Sequence, residues 1–157
     1  MKTLSDTIVN FLEKQSFSIV STLDAEGSIH CAAKSIVGIE KKGKIFLVDL
    51  YKAGTFRNLK ANPTISITSV DEHLFMGYTL QGRAKIVDRD KIENHIIKAW
   101  EERVIQRISK RVIKSIKDYR KSGHHPEAKF PHPEYLIVVD VENIVDLTPS
   151  HLKKIPL

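Results

Sequence analysis

Lys44-Ile-Phe-Leu-Val-Asp49 and Thr64-Ile-Ser-Ile-Thr-Ser-Val70 flank the segment Leu50-Tyr-Lys-Ala-Gly-Thr-Phe-Arg-Asn-Leu-Lys-Ala-Asn-Pro63, and the fold turns on these residues. The apolar run from Ile45 to Leu50 has the length of a strand buried on both faces. Gly54 and Thr55 then read as a loop residue and a capping residue, ahead of one or two helical turns over 56–61. Phe56 and Leu59 share a face of that helix. Asn62-Pro63 stops it, because proline disfavours helical backbone in the residue before it. Thr64 to Val70 is rich in β-branched residues and reads as a second strand. Strand, Gly-Thr loop, short helix, strand is an order that gathers free backbone N–H groups and a hydroxyl at one spot. Phosphates are held in that way, although an ordinary threonine-capped helix has the same appearance.

Outward from this core the pattern stays mostly β. Ser5 can cap a first helix carrying Ile8, Val9, Phe11 and Leu12 on one stripe. Phe17, Ile19, Ser21 and Leu23 alternate with Ser18, Val20 and Thr22, and Asp24-Ala25-Glu26-Gly27 reads as a turn. In the next strand, residues 28–39, Lys34 sits among apolar neighbours and needs an anion or solvent nearby. Cys31 reads as a small packed hydrophobe. Glu40-Lys41-Lys42-Gly43 is a further turn. Residues 73–87 alternate longest, with Leu74, Met76, Tyr78, Leu80, Ala84 and Ile86 on one face; Gly77 and Gly82 suggest bulges or close contacts. The chain closes with a buried strand, Tyr135 to Val141, and a second extended piece, Asn143 to Leu147. Six or more short antiparallel strands with attached helices make the fold class mainly β, of α+β type.

Residues 90–121 break this rhythm. Ile92, Ile96, Trp100, Val104, Ile108, Val112 and Ile116 recur every four residues with no Gly or Pro between them, which predicts either one long curved helix or two with a bend near Glu102. The formal charge of +6 gathers here: residues 103–121 hold eight basic residues against Asp118, and the remainder is close to neutral. Nucleic-acid binding is disfavoured because no stacking aromatics interleave with these charges, so they read as a solvated helix face. His124, His125 and His132 could suggest metal or haem ligands, but they follow no recognised metal spacing, and no metal site is expected.

At 157 residues the chain fits one domain over 1–157. No apolar run approaches the ~20 residues needed to cross a bilayer. The start has no apolar signal core, and the lone Cys31 cannot form an internal disulfide, so the expected location is cytoplasmic. No dinucleotide, Walker or nucleophile-elbow motif appears, and hydrolase or nucleoside-triphosphate chemistry lacks support.

Arg57-Asn58-Leu59 followed by Asn62-Pro63, directly after a hydrophobic strand, resembles the flavin-binding split-barrel family that includes pyridoxamine phosphate oxidase. The resemblance covers roughly residues 5–87 and resumes at the last strands. It implies a split β-barrel with an N-terminal helix, the long helix being an extension, and a homodimer with FMN sites at the interface. In the family the loop before Asn-Leu binds the FMN phosphate, often through a Ser-x-Lys pair. Ala53 and Thr55 occupy those positions here, so the lysine is absent; Gly54 and Thr55 would hold the phosphate, with charge from Lys34 or Lys52. Lys34 and its neighbour Ser35, Val48, Asp49 and Gln81 would meet the flavin, with Asn58 bracing the loop. Asp49 stands where the family commonly has a threonine, and could accept from the flavin ring or from Lys52. Implied, then, is an FMN-dependent oxidoreductase acting on an unassigned small molecule, or a flavin-binding protein without turnover. No dedicated acid or base is identifiable. The C-terminal substrate motif of pyridoxamine phosphate oxidase is not evident in Val141 to Leu157. Some relatives handle haem, and a non-catalytic haem-handling module is the alternative.

Overall fold

A computed structural model describes residues 1–117 and 129–153, apart from the side chains of residues 115–117. Helix α1 (Asp6–Lys14) is followed by strands β1 (Ser18–Leu23), β2 (Ile29–Glu40) and β3 (Lys44–Asp49). Next come helix α2 (Gly54–Ala61) and strands β4 (Thr64–Asp71) and β5 (Met76–Asp88). A single 3-10 turn (Arg89–Lys91), helix α3 (Asn94–Lys117) and strand β6 (Tyr135–Asp146) complete the described chain. The six strands close into an antiparallel barrel in the order β1-β2-β3-β6-β5-β4, the split β-barrel expected from the sequence.

The local signals act where expected. Ser5 caps α1 by accepting from the Ile8 N–H at 3.3 Å, and Ile8, Val9, Phe11 and Leu12 are buried against the barrel. Gly27 turns the β1–β2 hairpin with φ +81°, a conformation cheap only for glycine. At Gly82 the β5–β6 register slips by one residue, and a Cβ there would lie 2.0 Å from the Asp140 carbonyl oxygen. The two expected terminal pieces form one continuous strand, β6, which pairs with β3 along its first half and with β5 along nearly all its length. Tyr135, the first residue of β6, lies opposite Asp88, the last of β5. Residues 89–134 therefore leave the barrel and return to it at one point.

Two expectations change. Gly54 is already helical, and the residue before the helix is Ala53, whose side chain cannot cap; Thr55 stands inside the first turn and is buried. Cys31 is exposed rather than packed. It points outward on β2 opposite Ser21 of β1, with the sulfur 3.4 Å from the Ser21 hydroxyl. The interior of a six-stranded barrel is narrow, and β1 turns its smaller Ser18, Val20 and Thr22 inward. The inward hydroxyls find partners there: Ser18 lies 2.7 Å from Ser69, and Asn58 donates to Thr22 at 3.0 Å. Phe17, Ile19, Ile29, Cys31 and Ala33 are left on the outside.

The core has two compartments. Inside the barrel, Val20, Ile36, Leu47, Ile65, Ile67, Leu80 and Ile137 pack under α1. Outside it, Ile92, Ile96 and Trp100 of the α3 segment pack on Val37, Val48 and Leu136. Burying each such side chain contributes about 1.5–3 kcal/mol, which is enough to clamp the first half of α3 to the strands. α3 is one helix through Lys117; the predicted end at residue 121 lies outside the described residues, as do His124 and His125.

Candidate functional site

Where β2 and β3 run side by side, successive residues alternate between the barrel interior and the surface under α3. Lys34 and Asp49 take the inward direction at the rim. The Lys34 ammonium donates to the Asp49 carboxylate, with both side chains largely buried. The same carboxylate accepts from the Tyr135 hydroxyl at 2.5 Å and from the Leu50 N–H at 2.9 Å. Burial first, then the hydrogen bond to Asp49 and its charge, push the Tyr135 phenol far above its usual range. A lysine half-surrounded by apolar strand residues is tolerable here because its charge is matched at contact.

Ser35 and Val48, register partners on the two strands, take the outward direction and face α3. Between this surface and the helix lies a pocket of about 350 Å³. Ala33, Lys34, Ser35, Val48, Asp49, Leu50 and Tyr51 form its floor, Trp100, Arg103, Val104 and Arg107 one wall, and Phe17 and Phe130 its edges. The volume is at the small end of cofactor pockets. The wall residues are spaced i, i+3, i+4, i+7, so a single face of α3 supplies them all. Arg107 reaches across and donates to the Ser35 hydroxyl at 2.5 Å. Burial, and then the neighbouring Arg107 charge, push the Arg103 guanidinium down from its usual range, with Glu13 opposing. A guanidinium at such a site stays protonated.

The structure thus brings Lys34, Ser35, Val48 and Asp49 together and leaves the other expected residues elsewhere. Lys52 approaches Asp88 at 3.5 Å and the Phe56 ring at 5.1 Å rather than Asp49. Thr55 is only 3% exposed, and Gly54 lies under the His30 ring, so that a Cβ there would meet imidazole atoms at 2.9 Å. Asn58 ties α2 to β1 through Thr22. Gln81 is exposed and accepts from the Asn143 side chain at 2.9 Å, away from the pocket. The two arginines were not singled out from the sequence. Their spacing from Trp100 and Val104 was the available signal, since it puts them on the apolar stripe and not opposite it.

Among the described residues, no cluster of three or more His, Cys, Asp or Glu could hold a metal ion, and no helix is long and apolar enough to cross a membrane.

An antiparallel barrel with a pocket at its rim defines the split-barrel class. Within that class the chain belongs to the pyridoxamine 5'-phosphate oxidase family, whose sequence model matches residues 4–144 and whose members generally bind flavin. Among curated proteins no sequence relative is found. Solved structures with the same fold include HupZ from Group A Streptococcus, at 18% identity over 92% of this chain and 94% of that one, with a TM-score of 0.67. An F420 reductase aligns over 90% of this chain and 98% of its own, at 14% identity and a TM-score of 0.60. HutZ, the heme storage protein from Vibrio cholerae, is 21% identical over 92% and 94% of the two chains, with a TM-score of 0.53.

Proposed function

We propose that this chain binds FMN at the barrel rim as a homodimer and acts as a flavin-dependent oxidoreductase on a small molecule. The observation that carries the reading is the pocket between β2, β3 and α3, which combines aromatic edges with charged groups at its base. Phe17, Tyr51, Trp100 and Phe130 suit a planar ring system. The Lys34 ammonium, held by Asp49, would keep further N–H donors for the polar edge of that ring. Bound flavin supplies the redox chemistry; the chain binds, orients and excludes water. Of the expected phosphate holders, Gly54 is half-buried beside the His30 ring and Thr55 is buried.

The dimer reading rests on the outer face of β1 and β2. Phe17 is 58% and Ile29 73% exposed, with Ile19, Cys31 and Ala33 between them, an apolar surface expected to be covered. Phe17 and Ala33 belong both to this face and to the pocket, so a second copy seated there would border the cofactor. Cytoplasmic residence is part of the same reading, since an exposed free thiol such as Cys31 suits a reducing compartment.

The test is the visible spectrum of purified protein after gel filtration with FMN. Flavin absorbance co-eluting with a dimer is expected, and protein eluting colourless after saturation overturns the reading. A second reading, haem handling, is favoured by one observation: the His132 ring lies 6.4 Å from that of Trp100, which lines the pocket. A Soret band on haem titration, lost in His132→Ala, would select it.

A further inference from the structure

The apolar stripe of α3 does not stay on the barrel. Trp100 is buried and Val104 and Ile108 are half-buried, but beyond Ile108 every described side chain of the helix is exposed. A repeat of four residues overshoots the helical period by about 40° per step, so the stripe turns away from the strands. Ile105 is left 62% and Ile113 54% exposed, with Val112 on the same side of the helix. Lys110 borders Ile113 at a spacing of three, and Lys114 follows one turn after Lys110.

We propose that this distal half of α3 is an arm that clasps a second copy of the chain, seating on its Ile29 and on the acidic turn 24–27. The inference rests on the homodimer reading and adds which ends of the two copies meet.

Continuity selects a second copy as the occupant. Ile92 and Ile96 pack on Val37, and the helix then advances along β2 until Val104 and Arg107 stand over Ala33 and Phe17. Those two residues belong to the apolar face of β1 and β2. The arm therefore leaves the barrel at the Phe17 end of the surface assigned to the dimer. Val104 and Arg107 also wall the pocket, so a clasped arm holds that wall in place.

Charge selects the end. Ser18 pairs with Lys34 beside Phe17, and Leu23 pairs with Ile29 at the far end, next to Asp24 and Glu26. Among the described residues, none of Asp24, Glu26, Lys110 and Lys114 is in an ion pair. Asp24 accepts from the Glu26 and Ser28 N–H groups at 3.0 and 2.8 Å, so the turn is set before any contact forms. Copies packed with like ends together would bring lysine against lysine. Packed with opposite ends together, each arm meets the other copy's acidic turn, and the contact occurs twice, as a two-fold axis requires.

Sedimentation of the full chain over a concentration series is the test. Wild type should dimerise, more weakly as salt rises. Lys110→Glu/Lys114→Glu reverses the arm, and Ala25→Lys/Glu26→Lys reverses the turn while sparing Asp24. Each should weaken the dimer about tenfold, because like charges then face each other at both contacts. A mixed dimer of the two has no mismatch: reversed arm meets reversed turn, and native arm meets native turn. An equimolar mixture should therefore recover wild-type affinity, and thermal melts matching wild type establish that both variants are folded. Undiminished affinity in either variant overturns the arm and leaves the homodimer reading standing. Folded, weakened variants that fail to rescue one another overturn it as well. An unchanged dimer whose arm lysines instead retain it on phosphatidylglycerol vesicles makes the occupant a lipid surface, and the inference fails. A monomeric wild type removes the homodimer reading and the arm together.

Discussion

Two corners flank the Lys34–Asp49 pair, and they differ in instructive ways. The α2 corner has the strand–Gly–helix order associated with phosphate binding, yet Gly54 lies under His30 and Thr55 is buried. The α3 pocket has no motif, yet it is open and carries two arginines beside an aromatic wall. A helix N-terminus has the same N–H groups wherever it occurs. Whether an anion reaches them depends on what a neighbouring strand places over them, which is a tertiary property. Cationic side chains on a helix face impose no such condition, since they bring the charge to the opening.

That contrast can be broken most directly at the group both corners share. Asp49→Ala should leave the Lys34 ammonium and the Tyr135 hydroxyl without their acceptor, costing about 3 kcal/mol of stability, as for other broken buried pairs. Urea unfolding measures it, and a loss under about 1 kcal/mol would show that Lys34 is served by solvent and that the pocket floor is not built around the pair. Tyr135→Phe should cost less, about 2 kcal/mol for one hydrogen bond to a charged acceptor. It should also alter the response to alkali. The folded phenol is raised above its unfolded value, so its contribution is whole below the ordinary tyrosine range near pH 10 and is lost as pH rises above it. Melting temperatures from pH 8 to 11 should therefore fall less steeply in Tyr135→Phe than in wild type.

The smallest effect sharpens the comparison at the closed corner. Gly54→Ala must displace the His30 ring and should cost about 1 kcal/mol. FMN affinity should stay within about twofold, because nothing charged is moved in the α3 pocket. A tenfold loss of FMN with riboflavin unchanged would put the phosphate at α2.

Much of the barrel could be read from alternation and punctuation. The Ser5 cap, the Gly27 turn, the close approach at Gly82 and the strand on each side of α2 all depend on neighbours in sequence. Which face of β1 and β2 turns inward could not be read that way. Period-two patterning separates two faces without ranking them when both carry apolar residues, and the narrow interior selected Ser18, Val20 and Thr22 over Phe17 and Ile19. Cys31 was misjudged for the same reason. Lys34, Ser35, Val48 and Asp49 were legible as a group because they occupy adjacent rungs of two neighbouring strands. Arg103 and Arg107 were overlooked because a basic helix is usually wetted, and only packing against β2 shows that this stretch is not.

The pairing of Asp88 with Tyr135 has a wider consequence. Residues 89 to 134 are inserted in the chain between these two paired ends, and lengthening or shortening such an insertion changes closure entropy only logarithmically, by about 0.6 kcal/mol per doubling. The six staves can therefore stay in register while the appendage is exchanged for another. One scaffold could in this way acquire a new lid, and with it a new preference for what it holds, without re-solving its own folding problem.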